Sequence, residues 1–276
     1  MGPQSIERPP ADRAALGGVP AALVVPSLLA VLLLVLPPVG LLVRTPWSTL
    51  GLRLSEPAVL EALRLSVVTA SAAAAICVVL GVPLAWVLAR VEFRGRRLVR
   101  ALVTVPLVLP PVVGGVALLT VFGRRSGLVG APLYEATGWQ LPFTTAAIVV
   151  AQTFVALPFL VISVEGALRS TDLRFDEVSA TLGASRWQTF GRVTVPLALP
   201  GVASGTVLAW ARALGEFGAT ITFTGNAEGR RTLPLQVYTV LQSDPESAYA
   251  LSLLLLVISV AVLGLLRERW VAGSAR

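Results

Sequence analysis

Two charged residues, Arg212 and Glu216, lie in an otherwise apolar stretch of this sequence, 201–223. On a helix they would be neighbours on one face, because residues four apart lie about one turn from each other. Charged side chains at membrane depth usually face the interior of a helix bundle or a water-filled cavity. Two interpretations stay open at this point: the pair borders a path for an anion, or it is an internal ion pair that fixes helix packing.

Side chains that many enzyme sites require are missing from the chain. It has no His, and every one of its 22 basic residues is Arg rather than Lys. A Walker A loop needs its Lys against the nucleotide phosphates, and an HExxH metal site needs two His. The lone cysteine, Cys77, lies in an apolar run and is expected to be a buried, inert thiol. We therefore expect no ATPase site, no metal and no cofactor, and we expect the chain not to be an enzyme.

The composition is typical of an integral membrane protein. Hydrophobic residues make up 55% of the chain and charged residues 13%, with a mean hydropathy of +0.80, whereas soluble proteins carry about 25% charged residues. A helix needs ~20 mostly apolar residues to cross a bilayer. Six stretches have this character: 21–43, 66–89, 98–122, 143–164, 201–223 and 248–266. The sequence therefore predicts an all-α transmembrane bundle of about six spans.

We expect a single transmembrane domain at 21–270, with a polar N-terminal segment, 1–20, before it and a short tail, 271–276, after it. The spans leave no room for a separate soluble domain of the usual ~100 residues or more. Arg without Lys suggests a GC-rich genome, so the bilayer is expected to be a bacterial plasma membrane.

Arginines are distributed unequally between the loops. The densest cluster lies at 90–100, others lie at 165–196 and at both ends of the chain, and the alternate loops hold fewer. Positive charge collects in cytoplasmic loops, so we expect these segments and both termini in the cytoplasm. Topology explains the net charge of +7, and no nucleic-acid partner is expected.

The polar segment 170–196 separates two apolar stretches and has the pattern of two short amphipathic helices. In the first, Phe175, Val178 and Leu182 form an apolar stripe at helical spacing. Gly183 follows directly and is placed to end that helix.

The second short helix begins at Ser185, which with Gln188 has the spacing of a capping box. Its apolar face consists of Trp187, Phe190 and Val193. Pro196 is expected to close it. Two such helices on the cytoplasmic side form a docking surface or, alternatively, lie on the membrane surface without a partner.

The same segment resembles the EAA motif of bacterial ABC-importer permeases. The family pattern is Glu-Ala-Ala, three residues, Gly, nine residues, Ile-x-Leu-Pro, and this chain matches its spacing with other small or apolar residues at the Ala, Ile and Leu positions. The resemblance implies that the loop is a coupling helix bound by a separate ATPase subunit. The residues it assigns to coupling are Glu177, Gly183, Ser185, Arg186, Trp187 and Pro196.

Two further stretches, 211–226 and 230–242, resemble the molybdate permeases of that importer class. Sulfate and thiosulfate permeases share the Gly-Glu-Phe-Gly part, whereas LPLQVYTVLQ favours molybdate. The resemblance implies a type I ABC-importer permease fold, a homodimer, two copies of the ATPase subunit and an extracytoplasmic oxyanion-binding protein. The expected function is import of molybdate, and sulfate, thiosulfate or tungstate import is the near alternative.

An ion-gradient-driven secondary carrier is the alternative from a different class. Many such carriers have inverted repeats with broken helices, and no internal repeat is apparent here. Paired membrane carboxylates would favour a carrier, but Glu216 is the only acidic residue that the sequence puts well inside a span.

Proline and small residues mark two predicted spans. Pro110 and Pro111 interrupt helical hydrogen bonding in 98–122, and non-helical backbone at membrane depth is tolerated only against protein or a wet cavity. That stretch therefore lines the translocation path or is kinked only for packing. In 201–223 a stripe of small residues packs against other spans or across a dimer axis: Gly201, Gly205, Ala209 and Ala213.

Overall fold

The computed structural model describes residues 21–171 and 174–273, apart from the side chains at 21, 176, 177, 180, 263 and 265–273. Regular secondary structure in these ranges is helical, as the sequence predicts. The chain divides into two compact units, one ending at Arg44 and one beginning at Thr45, and each is described by itself.

In the first unit the structure describes one helix, α1, Ala21–Arg44. Its 24 residues rise about 36 Å, which exceeds the ~30 Å hydrocarbon core of a bilayer. The bounds match the predicted span 21–43, although Pro26, Pro37 and Pro38 lie inside the helix.

The second unit contains the remaining described helices. They are α2 (Leu50–Leu54), α3 (Pro57–Arg90), α4 (Arg96–Val108), α5 (Pro111–Phe122), α6 (Gly130–Thr137), α7 (Thr145–Ser170), α8 (Arg174–Thr181), α9 (Arg186–Thr189), α10 (Val195–Leu214), α11 (Gly218–Thr224), α12 (Leu233–Val240) and α13 (Pro245–Gly273). A π-helical turn, Phe190–Thr194, joins α9 to α10.

Five helices of the described chain are long and apolar enough to cross a membrane, and the bent pair α4–α5 makes a sixth candidate. The other four besides α1 are α3, α7, the continuous stretch Arg186–Leu214, and Pro245–Val262 within α13. The predicted fold, an all-α bundle of about six spans, is confirmed.

Two predicted spans are wrong in detail. The span 98–122 is not one helix, because α4 and α5 meet at an angle of 119°. Leu109 and Pro110 each precede a proline and take extended backbone, with ψ of 126° and 133°, since the proline ring disfavours helical geometry in the residue before it. The span 201–223 is instead Arg186–Leu214, which starts in polar sequence and ends before the loop at Gly215.

Three long helices, α3, α7 and α10, form the core of the second unit. Close contact depends on small residues: a Cβ added at Gly205 would lie 3.0 Å from the Ser163 side chain, and one at Gly201 would clash with Ala167. The small-residue stripe of α10 therefore packs on α7 of the same chain, which decides between the two alternatives left by the sequence.

Loops that the arginine pattern assigns to the external side contact one another. Arg53 pairs with Asp244 at 2.7 Å and with Glu246 at 2.5 Å, and it also donates to the Ser247 hydroxyl. Arg230 donates to the carbonyl of Phe143. These contacts hold the segments around α2, α6 and α12 at one end of the unit.

Candidate docking loop and membrane site

We call residues 174–196 the docking loop, and its first half is the helix α8. Gly183 follows it with a φ of +80°, and the N–H of Ala184 donates to Ser179 across the turn at 3.0 Å. A positive φ is strained for residues with a Cβ, so Gly183 allows the reversal that the sequence predicts. The backbone of Glu177 belongs to α8, and its side chain lies outside the described residues.

The second half begins with the predicted capping box. The Ser185 hydroxyl accepts from the N–H of Gln188, and the Gln188 amide oxygen accepts from the N–H of Ser185 at 2.8 Å. Arg186 and Trp187 follow in α9 and are exposed. Of the predicted apolar face, Phe190 and Val193 are half-buried, and the ring of Phe190 contacts Trp86 of α3 edge-on at 5.6 Å.

Pro196 does not close the second helix, so that prediction is wrong. The chain passes through the π-helical turn, in which the N–H of Val195 donates to Phe190 five residues back, and continues as α10. Pro196 is the second residue of α10 and directly follows the π-helical turn, so its missing N–H falls where regular α-helical hydrogen bonding is already interrupted.

Large apolar side chains remain exposed along the docking loop. They are Phe175, Val178, Leu182 and Trp187, with Leu182 and Trp187 both 82% exposed. In a polar loop such a cluster marks an interaction surface. We call these four residues the docking surface.

The second candidate region is built around Glu216. Its Oε2 lies 2.6 Å from Nη1 of Arg212, so the predicted neighbours do form an ion pair. The helical break at Gly215–Phe217 falls between α10 and α11, and Glu216 Oε1 accepts the N–H of Ala219 in α11 at 2.8 Å. Glu216 is 1% exposed, so the buried carboxylate joins the end of one helix to the start of the next.

One of the predicted prolines, Pro111, lies against the start of α11. Pro111 begins α5, and a Cβ added at Gly218 would lie 2.7 Å from the Cβ of Pro111. One added at Gly115 would lie 2.6 Å from Thr222 and 2.8 Å from the carbonyl oxygen of Ala219. The starts of α5 and α11 therefore meet through glycine, and together with Arg212 and Glu216 they form what we call the membrane site.

Sequence reasoning missed Glu165. It lies one residue beyond the predicted span 143–164, but α7 continues to Ser170 and Glu165 is 6% exposed. Glu216 is thus not the only acidic residue enclosed by the bundle. The signal in the sequence was Arg169, four residues on, which pairs with Glu165 at 2.8 Å.

Gln152, also in α7, was not singled out either. It is fully buried, and both polar atoms of its amide are without a hydrogen-bond partner among the described residues. A polar residue inside an apolar span was the available signal. Within the same described ranges, no cluster of three or more His, Cys, Asp or Glu side chains could hold a metal ion.

Known proteins resemble this chain over the part that contains both candidate regions. The family model described as "Binding-protein-dependent transport system inner membrane component" matches residues 78–272, which contain both the docking loop and the membrane site. Among solved structures, the chain resembles one from the "Crystal structure of bacterial alginate ABC transporter in complex with alginate pentasaccharide-bound periplasmic protein". The TM-score is 0.73 at 17% identity, over 90% of this chain and 92% of that one, which indicates a common fold.

Two relatives found by sequence have much higher sequence identity to this chain than that structure has. The Molybdenum transport system permease protein ModB of Mycobacterium tuberculosis is 49% identical over 255 residues, covering 92% of this chain and 94% of that protein. The protein of the same name from Escherichia coli is 40% identical over 217 residues, covering 78% and 94%. The chain belongs to the family of binding-protein-dependent transport system inner membrane components.

Proposed function

We propose that this chain is the permease subunit of an ATP-driven importer that carries molybdate across the bacterial plasma membrane. The observation that carries the proposal is the docking surface: Phe175, Val178, Leu182 and Trp187 exposed on a loop with the EAA spacing. The names of the two sequence relatives support molybdenum as the cargo.

The docking loop has the properties of a protein-binding element. Gly183 sets the turn between its helices, and the capping box at Ser185 orders the start of the second one. Trp is among the residues that most often dominate binding energy at interfaces, and Trp187 is available for contact. Since the chain lacks the Lys of a Walker A loop, the partner at this loop supplies ATP hydrolysis.

The remaining partners follow from the same assignment. One docking loop per chain and two ATPase subunits require a second copy of the chain, so the permease is a homodimer. An extracytoplasmic oxyanion-binding protein delivers the substrate on the side of α2, α6 and α12. Both termini lie in the cytoplasm, in agreement with the arginine-rich segments around Arg94, Arg96 and Arg97.

The function is tested by reconstituting the chain in liposomes with its ATPase subunit and binding protein. We expect uptake of radioactive molybdate that requires ATP, the ATPase subunit and the binding protein. Unlabelled molybdate should compete most strongly. Stronger competition by sulfate or tungstate would reassign the cargo, and uptake driven by an ion gradient without ATP would establish a secondary carrier instead.

The topology is tested by cysteine labelling. With Cys77 replaced by Ala, single cysteines are introduced at Leu98 and Leu128, which are 64% and 79% exposed. An impermeant thiol reagent applied to intact cells should label position 128 and spare position 98, while both should react after lysis. Labelling only at position 98 would invert the topology and move the docking loop outside.

A further inference from the structure

The buried acid that sequence reasoning missed lies at the centre of an ionic network. Arg100 of α4 approaches Glu165 Oε1 with Nε at 3.0 Å and Nη2 at 2.6 Å, and Arg169 approaches the same oxygen at 2.8 Å. Arg100 also donates to the carbonyl of Leu88 near the end of α3, and Arg96 donates to the same carbonyl at 2.9 Å. We call this group of five residues the Glu165 clamp.

The clamp is the principal attachment of α4. No residue of α4 is fully buried, and only Val99 and Val103 pack partly against the core. Leu98 and Leu102 point outward and are more than half exposed. Because its apolar contact is small, α4 depends on the charge-assisted hydrogen bonds of Arg96 and Arg100, which are about twice as strong as neutral ones.

The clamp also stands between the two candidate regions. Arg169 is in the last turn of α7, and the docking loop begins a few residues later with α8. On its other side, α4 leads through the bend at Leu109 and Pro110 to α5, which contacts α11 at the membrane site. Glu165 therefore links the end of α7, which precedes the docking loop in the chain, to α4, and the chain continues from α4 to the membrane site.

We infer that Glu165 is a positioning residue that couples the docking loop to the membrane site by holding α4 against the cytoplasmic end of α7. The inference rests on the proposed function. In the described chain, the ion pairs of Glu165 are with Arg100 and Arg169 and with no residue of the docking surface. Its removal would leave two neighbouring arginines unpaired and α4 free to move independently of α7.

The test uses the reconstituted complex of permease, ATPase subunit and binding protein, with molybdate uptake and ATP hydrolysis measured on the same liposomes. In Glu165→Gln, uptake per ATP hydrolysed should fall about fivefold or more, the scale of a typical coupling free energy. Hydrolysis should continue because the docking surface is intact. Glu165→Asp, which keeps the charge, should recover part of the coupling. Arg97→Gln is the matched control, since Arg97 is an exposed arginine of α4 with no hydrogen bond or ion pair in the described chain.

The double variant Glu165→Gln with Arg100→Gln distinguishes a coupling role of Glu165 from a role in stability alone. Replacing the Glu165–Arg100 pair by two amides should recover thermal stability relative to Glu165→Gln, because the one arginine left without its carboxylate, Arg169, has a side chain 48% exposed and stays solvated, but coupling should stay low. Recovery of coupling together with stability, or unchanged coupling in Glu165→Gln, would overturn the inference. Absence of ATP-dependent uptake in the wild-type complex would instead refute the proposed function.

Discussion

The docking loop and the membrane site differ in how their residues come together. In the docking loop the decisive contacts join residues three to five apart, such as Ser185 with Gln188, and the apolar side chains end in solvent. In the membrane site Pro111 meets Gly218 from a distant part of the chain, and Glu216 is enclosed. Changes in the loop should therefore affect partner binding, whereas changes in the membrane site should affect folding as well.

The largest effect is expected from breaking the ion pair of the membrane site. Arg212→Gln leaves the carboxylate of the enclosed Glu216 without its charged partner. Glu216→Gln leaves the guanidinium of Arg212 without its partner, but that side chain is 28% exposed and is therefore partly solvated. An unpaired buried charge costs about 3–5 kcal/mol, so both variants should lower thermal stability in detergent, Arg212→Gln more.

The double variant Arg212→Gln with Glu216→Gln sharpens the result. It should recover stability relative to either single change. Recovered folding with no uptake would support an anion-path role for Arg212, and recovered uptake would leave only a structural role. Normal folding of both single variants would show that the pair does not stabilise the site.

A smaller effect on folding, but a large one on assembly, is expected at Gly183. Added atoms meet open space there, so the cost of Gly183→Val arises from the φ of +80°, at about 1–3 kcal/mol. The docking surface should be misdirected, and both co-purification of the ATPase subunit and uptake should fall. Gly183→Asn should be milder, since Asn tolerates this conformation.

Gly191 provides the control for that experiment. It also has open space around its Cβ position but no positive φ, so Gly191→Ala should bind the ATPase subunit normally. Equal loss in both variants would mean that bulk in the loop, rather than the turn at Gly183, is responsible.

The capping box should matter less still. Ser185→Ala removes the acceptor for the N–H of Gln188, and loss of such a cap costs about 1 kcal/mol. Since α9 is short and exposed, we expect weaker affinity for the ATPase subunit, measured by titration, with unchanged thermal stability. Ser185→Asp should restore affinity, and a stability loss as large as that of Arg212→Gln would contradict the contrast between the two regions.

The smallest effect concerns pH at the end of the unit where Arg53 pairs with Asp244. Hydrogen bonds from the hydroxyl and N–H of Ser247, together with Arg53, lower the pKa of Asp244 below its ordinary value. A lowered pKa means that Asp244 contributes stability above the unfolded value of about 3.9 and loses it as pH falls through the folded pKa.

The thermal stability of Asp244→Asn should therefore lie slightly below that of the wild type at neutral pH and converge with it in acid. Glu228→Gln serves as the control, because Glu228 is exposed in the loop between α11 and α12 and forms no ion pair in the described chain. If the difference in thermal stability between the two proteins grew as pH fell, the lowered pKa of Asp244 would be contradicted.

Local signals allowed much of this structure to be predicted. The number of spans follows from hydropathy, and the turn at Gly183 and the cap at Ser185 follow from short-range rules. The contact of Arg212 with Glu216 was predictable from their spacing, but the bond from Ala219 was not, because it depends on a break in the helix at Gly215–Phe217.

Long-range packing accounts for what sequence reasoning missed. The partner of Pro111 could not be foreseen, since nothing near it in the chain indicates Gly218. Glu165 fell outside a window defined by apolar residues, although α7 continues past it with Arg169 one turn on. Charged residues at the ends of spans are poorly predicted for this reason: hydropathy excludes them, while the folded bundle encloses them.

The π-helical turn Phe190–Thr194 holds one residue more than an α-helical turn, because its hydrogen bond from Val195 reaches five residues back rather than four. Deleting one residue from this turn would therefore leave an ordinary α-helical turn, with Gly201 and Gly205 still facing α7. An α-helix rotates about 100° per residue, so the same deletion between the turn and Gly201 would rotate both glycines away from α7. The turn is thus the one place in Arg186–Leu214 where a single-residue deletion should be tolerated, and the same deletion a few residues later should not be.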